Sequence, residues 1–361
     1  MTAVSAQVGS SAPRATTVPV LKRIWHNYVL RRILRAIFVI WVVATAVFFM
    51  VRLLPGNPVQ VYINQQIAQY GVSYQDAAAS AASYFSFDPQ TPILVQYLNY
   101  MLGLLHGDMG MSIATRGVSV THLIAEYLPW TLFSVGIGIL IAIVVGLFLG
   151  MVMAYRRGGA IDHGVTAIGS FLHAIPNYLM AIIIVVIGGA LLGLFDVGSM
   201  RGTVTPGIDP SYGLAWVQDI FYHASLPILT YVLTTVGTWA LIMKSSTTQI
   251  LGEDYVTVAR ARGLNDMWIR TNYVGRNAIL PMVAQIATTA GFVVGGAIFV
   301  EQTFKYDGIG VTLYSALQTR DYTVLQGILL VLTATVVFAN LIADLLYSVL
   351  DPRIRTDETG A

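Results

Sequence analysis

The segment EDYVTVARARGLNDMWIRTNYVGRNAILP, residues 253–281, is polar, basic and helix-forming, and it lies between two strongly apolar runs. Glu253 and Asp254 are acidic groups suited to a helix N-terminus, and Gly263 suits the left-handed residue that follows a helix end, so residues 254–262 are predicted to form a short helix. Asn265 or Asp266 can cap a second helix that runs to Asn277, and Pro281 opens the next apolar run. Helical spacing puts Tyr255, Val258, Ala259 and Arg262 on one side of the first helix. A small apolar face with an aromatic anchor and arginines beside it suits a groove on a partner. The same pattern also suits an amphipathic helix on lipid headgroups, and residues 253–281 taken alone do not separate the two.

The surroundings of this segment set the class. Of 361 residues, 56% are hydrophobic and 11% charged, against about 25% charged in soluble domains. The chain is therefore expected to be an all-α polytopic membrane protein. A formal net charge of +2 offers no basis for a nucleic-acid partner, and the absence of cysteine excludes disulfides and thiolate chemistry. About 20 helical residues cross a bilayer core of ~30 Å. Six runs satisfy this, about 33–54, 129–154, 165–194, 222–243, 282–300 and 323–350. Pro176 and Pro227 lie within the third and fourth and predict kinks. Gly146/Gly150, Gly189/Gly193 and Gly291/Gly295 have the small-xxx-small spacing that lets helices approach closely. Residues 1–27 have no apolar period and read as a disordered extension, and residues 356–361 as a tail. The loop 55–128 holds an Ala-rich helix over 73–83 and an interfacial helix over 95–105, so it is expected to be a folded feature.

Basic residues set the predicted orientation. With the N-terminus inside, 15 of the 20 lysines and arginines fall on inner segments and 5 outside. Both termini and the 244–281 loop are then cytosolic, and the loop 55–128 faces outward.

No G-x-x-x-x-G-K-[ST] segment is present, so the chain has no phosphate-cradling loop and the energy for transport is expected from another chain. Ser170 and His173 share a helix face but lack the G-x-S-x-G context of a nucleophile. They read as polar contacts within a helix bundle. Ionisable groups in the spans are few: His173 and Asp344, with Lys244 and Glu301 at the edges. Asp344 lies near the cytosolic end, where it can snorkel or pair with a basic group. His173, Thr235, Thr238, Gln285, Thr288 and Thr289 are the polar span positions that could line a translocation path, and each could equally be interhelical glue. No metal or cofactor site is expected in the chain.

The sequence resembles the membrane permease subunits of bacterial ABC importers, in particular the B-type permease of the dipeptide/oligopeptide/nickel branch. Ala259-Arg-Ala-Arg-Gly263-Leu264 followed by Arg276-Asn-Ala-Ile-Leu-Pro281 is similar to that branch's form of the EAA motif, with Thr257 where the general motif has glutamate. Further similarity lies in Arg52-Leu-Leu-Pro-Gly-Asn-Pro58, Gly107-Asp108-Met-Gly110-x-Ser112 and Glu126-Tyr-Leu-Pro-x-Thr131. It continues in Arg156-Arg157-Gly158, Ile175-Pro176-Asn-Tyr, Glu301-Gln-Thr-Phe304-x-x-x-Gly308-Ile-Gly310, Arg320-Asp321-Tyr322 and Leu350-Asp-Pro-Arg353. Asp307 and Thr323 stand where the family often has proline. The resemblance covers residues 28–355, the expected permease domain, and implies the type I importer fold. It implies a pore shared with a C-type permease, two ATPase subunits that hold ATP and magnesium, and an extracytoplasmic binding protein that meets the outer loop. It implies import of peptides, or alternatively of nickel or another small solute. The competing class is an ATP-independent channel or ion-coupled transporter. In the resemblance, the 254–263 helix couples the pore to the ATPase, with Tyr255, Val258, Ala259, Arg260, Arg262, Gly263, Leu264, Arg276 and Pro281 as its residues.

Overall fold

The computed structural model describes residues 28–53, 58–84, 91–115, 117–282, 285 and 297–350. Among these the regular structure is helical, apart from one isolated antiparallel bridge between Met111 and Ser119. In chain order the helices are α1 (Tyr28–Leu53), α2 (Pro58–Tyr70), α3 (Tyr74–Tyr84), α4 (Ile93–Leu105), α5 (Val120–Tyr155), α6 (Ala160–Ala174) and α7 (Asn177–Ile183). The chain continues with α8 (Leu214–Leu251), α9 (Asp254–Ala261), a helical segment at 297–304, α10 (Ile309–Gln318) and α11 (Tyr322–Leu350). A run of Asp266–Trp268, Ile269–Gly275 in the wider π form, and Arg276–Ala278 follows α9.

Four of the described helices are long and apolar enough to cross a membrane: Val29–Val51, Val120–Tyr155, Leu214–Leu251 and Tyr322–Leu345. A fifth apolar stretch is broken. Ala160–Ala174 and Asn177–Leu191 meet at an angle of 102°, where the sequence predicts a kink inside one span. Proline forces the residue before it out of the helical region, and Ile175 is extended, with φ −85° and ψ 119°. Pro227 acts differently. It lies inside α8, which is continuous from Leu214 to Leu251. Pro129 likewise lies inside α5, which begins at Val120 rather than 129, with Ser119 Oγ accepting from the His122 N–H. Most of the expected 282–300 span, the 1–27 extension and the 356–361 tail lie outside the described residues.

Glycine decides the main helix contact. A Cβ on Gly146 would stand 2.4 Å from Trp239 Cβ, and one on Gly150 2.4 Å from the Ala240 carbonyl oxygen. The backbones of α5 and α8 can therefore meet, with Trp239 and Met243 fully buried beside Ala142 and Met282. A second close approach joins α6 to α8, where a Cβ on Gly237 would stand 2.3 Å from the Gly169 oxygen. Gly189 packs on the Phe195 and Val197 side chains instead of another helix, and Gly291/Gly295 lie outside the described residues. α1 packs on α11, and Arg32 forms an ion pair with Asp344 across that contact. Val59, Tyr62, Ile63, Ala77 and Ala81 form a small core between α2 and α3, so this part of the 55–128 loop is folded.

Candidate functional site: a helical hairpin and its struts

Residues 253–282 form a hairpin on the end of α8. Its first arm, α9, ends in a Schellman turn. The Gly263 N–H donates to the Arg260 oxygen at 2.9 Å and the Leu264 N–H to the Ala259 oxygen at 3.3 Å. Gly263 has φ +74°, a conformation in which glycine has no Cβ penalty. Asn265 caps the second arm by accepting from the Met267 N–H at 2.8 Å. Val256, Ala259, Ile269 and Val274 are buried together against Ile250 and Leu251 of α8 and against Leu264. The hairpin thus has its own apolar core and is continuous with the end of α8.

This core corrects one expectation. Spacing groups Ala259 with Tyr255 and Val258 on a partner-facing side, but Ala259 is buried and Leu264 half-buried. Left exposed on the hairpin are Tyr255, Val258 (56% exposed), Met267 (67%) and Trp268 (49%), together with Arg260, Arg262 and Arg276. Tyr273 joins the two arms. Its ring lies 6.3 Å from that of Tyr255 and 5.2 Å from that of Trp268. Burial, followed by the charge of Glu253, raises the Tyr255 phenol above its ordinary pKa, so it is neutral at physiological pH. Arg270 lies over the Tyr155 ring at 4.5 Å, a cation–π contact that ties the second arm to the end of α5. Pro281 is helical and exposed.

About two turns before the end of α8, Lys244 Nζ lies 2.5 Å from Asp162 Oδ1 at the start of α6, with the Asp162 side chain 5% exposed. Asp162 Oδ2 also accepts from the Gly158 N–H at 2.9 Å. One carboxylate therefore ties the α5–α6 turn, α6 and α8 together. Asp162 and Lys244 are 82 positions apart, and no local pattern in the sequence links them. Changing Asp162→Asn or Lys244→Met is expected to lower the melting temperature in detergent. The double variant Asp162→Asn with Lys244→Met should lose less than the sum of the two single losses, and additive losses would show that the two side chains are not coupled.

Of the candidate translocation residues, His173 and Thr238 meet. His173 Nδ1 is 2.8 Å from Thr238 Oγ1 and 3.3 Å from the Thr234 oxygen. Thr235 is buried, and its hydroxyl donates to the Tyr231 oxygen at 2.6 Å. Gln285 is half-buried, and Thr288 and Thr289 lie outside the described residues.

Two carboxylates gather the other quoted motifs. Glu301, fully buried, accepts from Thr131 Oγ1 at 2.5 Å and from the Gly310 and Val311 N–H groups at 2.8 and 3.3 Å, so it caps α10. Asp321, also buried, accepts from Ser112 Oγ at 2.6 Å, the Ala114 N–H at 3.0 Å and the Val324 N–H at 3.1 Å. It caps α11 and holds the 110–119 loop against it. Between these two knots is a cavity of about 250 Å³ lined by Tyr127, Asp307, Thr312 and Ser315 among others. Burial pushes the Asp307 carboxyl up, and His223 opposes that shift.

Long apolar helices, one of them ending in a polar hairpin with its own core, define a polytopic helical membrane protein. The family model for the inner membrane component of binding-protein-dependent transport systems matches residues 146–356, and the chain belongs to that family. It is 34% identical over 339 residues to a Brucella suis biovar 1 chain named as a peptide permease protein, covering 91% of this chain and 99% of the relative. It is 30% identical over 348 residues to the dipeptide transport system permease protein DppB of Escherichia coli (strain K12), covering 91% and 98%. It is 28% identical over 327 residues to the oligopeptide transport system permease protein AppB of Bacillus subtilis (strain 168), also covering 91% and 98%.

Proposed function

We propose that this chain is the pore-forming permease subunit of an ATP-driven importer of di- or oligopeptides, with α9 as its coupling helix to a separate ATPase subunit. The names of its relatives support the substrate class. The observation that carries the coupling role is the open face of the hairpin. Exposed aromatic and aliphatic side chains, with exposed arginines on the same hairpin, sit on an element whose own core joins it to α8. A push on that face would move α8 as one body, because the hairpin core includes Ile250 and Leu251.

The reading includes six spans with both termini in the cytosol, the permease domain over 28–355, and an outer loop 55–128 that meets a binding protein. A C-type permease would complete the pore, and two ATPase subunits would hold ATP and magnesium. Tyr255, Val258, Arg260, Arg262 and Arg276 would touch the ATPase. Ala259, Gly263, Leu264 and Pro281 would shape the hairpin. His173, Thr235, Thr238, Gln285, Thr288 and Thr289 are the proposed translocation-path positions. Among them Thr235 has its hydroxyl engaged within α8.

The test is co-purification and uptake. Tyr255→Asp with Val258→Asp puts two carboxylates on the proposed docking face and leaves the core residues Val256, Ala259, Ile269 and Val274 in place, at the cost of the Tyr255–Tyr273 ring contact. The variant is expected to insert normally, lose its ATPase partner on affinity purification, and take up labelled dipeptide at least tenfold more slowly, since about 1.4 kcal/mol of lost docking energy is tenfold in affinity. Retained ATPase and unchanged uptake would overturn the coupling role.

A further inference from the structure

α4 has the reverse of the polarity expected for a helix in water. Its 13 residues, Ile93 to Leu105, include no charged side chain. Gln96, Tyr97 and Tyr100 face the protein, while Asn99 is exposed at the edge of the open face. Gln96 is buried and donates from Nε2 to the Thr91 oxygen at 2.8 Å. The Tyr97 hydroxyl is 2.8 Å from Thr45 Oγ1 of α1. The Tyr97 and Tyr100 rings both lie 5.3 Å from that of Phe48, and Tyr97 stacks on Phe49 at 5.9 Å. The opposite face is aliphatic and open, with Leu94 64% exposed and Leu105 82%, and with Leu98 and Leu102 exposed between them. A helix on a water-facing surface directs its apolar stripe inward, and an open stripe of this kind on a soluble surface marks a contact with something apolar.

The position of the helix identifies that contact. Its anchors on α1, Thr45 and Phe49, fall inside the apolar span Val29–Val51, about 8 and 14 Å from its midpoint at 1.5 Å per residue, within the ~15 Å half-thickness of a bilayer core. α1 exposes Trp41, Val42 and Met50 over the same turns, so the open face of α4 continues a membrane-facing surface. At about 20 Å, α4 is too short to cross. It ends in His106, Gly107 and Asp108, residues suited to the water boundary. The chemistry of the stripe separates lipid from a second protein. Helix contacts within membranes use small residues so that backbones approach, whereas this face is built of leucines. The small residue of α4, Gly103, faces inward, where an added Cβ would stand 3.2 Å from the Asp108 oxygen.

We propose that α4 is a non-spanning helix embedded in the leaflet at the C-terminal end of α1, with Leu94, Leu98, Leu102 and Leu105 against lipid acyl chains. It clamps α1 through the Tyr97–Phe48–Tyr100 aromatic contact and shields that end of α1 from water.

The chain has no native cysteine, so single cysteines at these four leucines can carry nitroxide labels. The assembled protein is reconstituted in phosphatidylcholine/phosphatidylglycerol vesicles, and collisions with oxygen and with a water-soluble nickel chelate are measured, with Gln65→Cys on α2 as a reference. The four leucine sites are expected to favour oxygen several-fold over the chelate relative to Gln65. Preference for the chelate would place α4 in water, and shielding from both reagents would mean that a protein covers it. Either result overturns the proposal. Leu98→Trp gives a check without a label: brominated lipid should quench its fluorescence more than that of the wild-type chain, whose six tryptophans set the baseline, and no added quenching would likewise overturn it.

Discussion

Glu301→Ala is expected to produce the largest loss of stability of any single change considered for this protein. The carboxylate is fully buried and is the shared acceptor for Thr131 Oγ1 and for the Gly310 and Val311 N–H groups. Thr131 Oγ1 in turn accepts from the Ile309 N–H at 2.9 Å. Truncation would leave two backbone donors and a hydroxyl without an acceptor in a site closed to water. Each buried unsatisfied group costs about 1–3 kcal/mol, and the vacated volume adds a cavity cost. A total on the order of 4 kcal/mol is expected, enough to lower the abundance of folded chain several-fold. Glu301→Gln keeps the volume and one acceptor oxygen, but its amide donors would face other donors, so an intermediate loss is expected. The glycines opposite report on the same site. A Cβ on Gly308 would stand 2.3 Å from Glu301 Oε1, and one on Gly310 2.5 Å from Ile298 Cα. Gly308→Ala and Gly310→Ala should therefore both be severe although each adds a single methyl. Thermal melts in detergent, with membrane abundance measured in parallel, decide the matter. A Glu301→Ala chain that melts with the wild type would mean that the cap does not hold α10.

Gly263 gives the second large effect, by a different cause. Its Cβ position is open, with nothing within 4 Å, and its backbone has φ +74°. Added bulk therefore meets no obstacle, and the penalty comes from the left-handed conformation, about 1–2 kcal/mol for an ordinary L-residue. Asparagine tolerates this region best and β-branched residues worst. The expected order of damage is Gly263→Asn, then Gly263→Ala, then Gly263→Val. The turn that closes α9 should loosen in that order, and in the proposed coupling role dipeptide uptake should follow, with Gly263→Val at least tenfold down while the chain remains in the membrane. Gly263→Trp shares the backbone penalty, so wild-type uptake by that variant would count against α9 as the coupling helix. Equal uptake across the Asn, Ala and Val series would show that the Schellman turn is irrelevant to transport.

What the chain alone determined is local or one-dimensional. Apolar runs of membrane length mark α1, α5, α8 and α11, because bilayer thickness sets a length that can be counted along a sequence. Gly263 and Asn265 mark the end of α9 and the start of the arm after it, because the groups that satisfy a helix terminus lie within a few residues of it. Close packing through Gly146 and Gly150 was legible for the same reason, as a spacing within one helix. What only the tertiary structure decided depends on partners far away in the chain. Periodicity puts Ala259 and Val258 on the surface of one helix but does not say which side meets Ile250, so Ala259 is buried and Val258 open. Proline breaks the helix at Pro176 and is absorbed at Pro227, since the outcome rests on what surrounding helices offer the freed backbone. The pairings Asp162–Lys244, Glu301–Thr131 and Asp321–Ser112 join residues 82, 170 and 209 positions apart. A carboxylate in a dry interior must find its donors wherever the fold brings them, and no spacing along the chain records where that is.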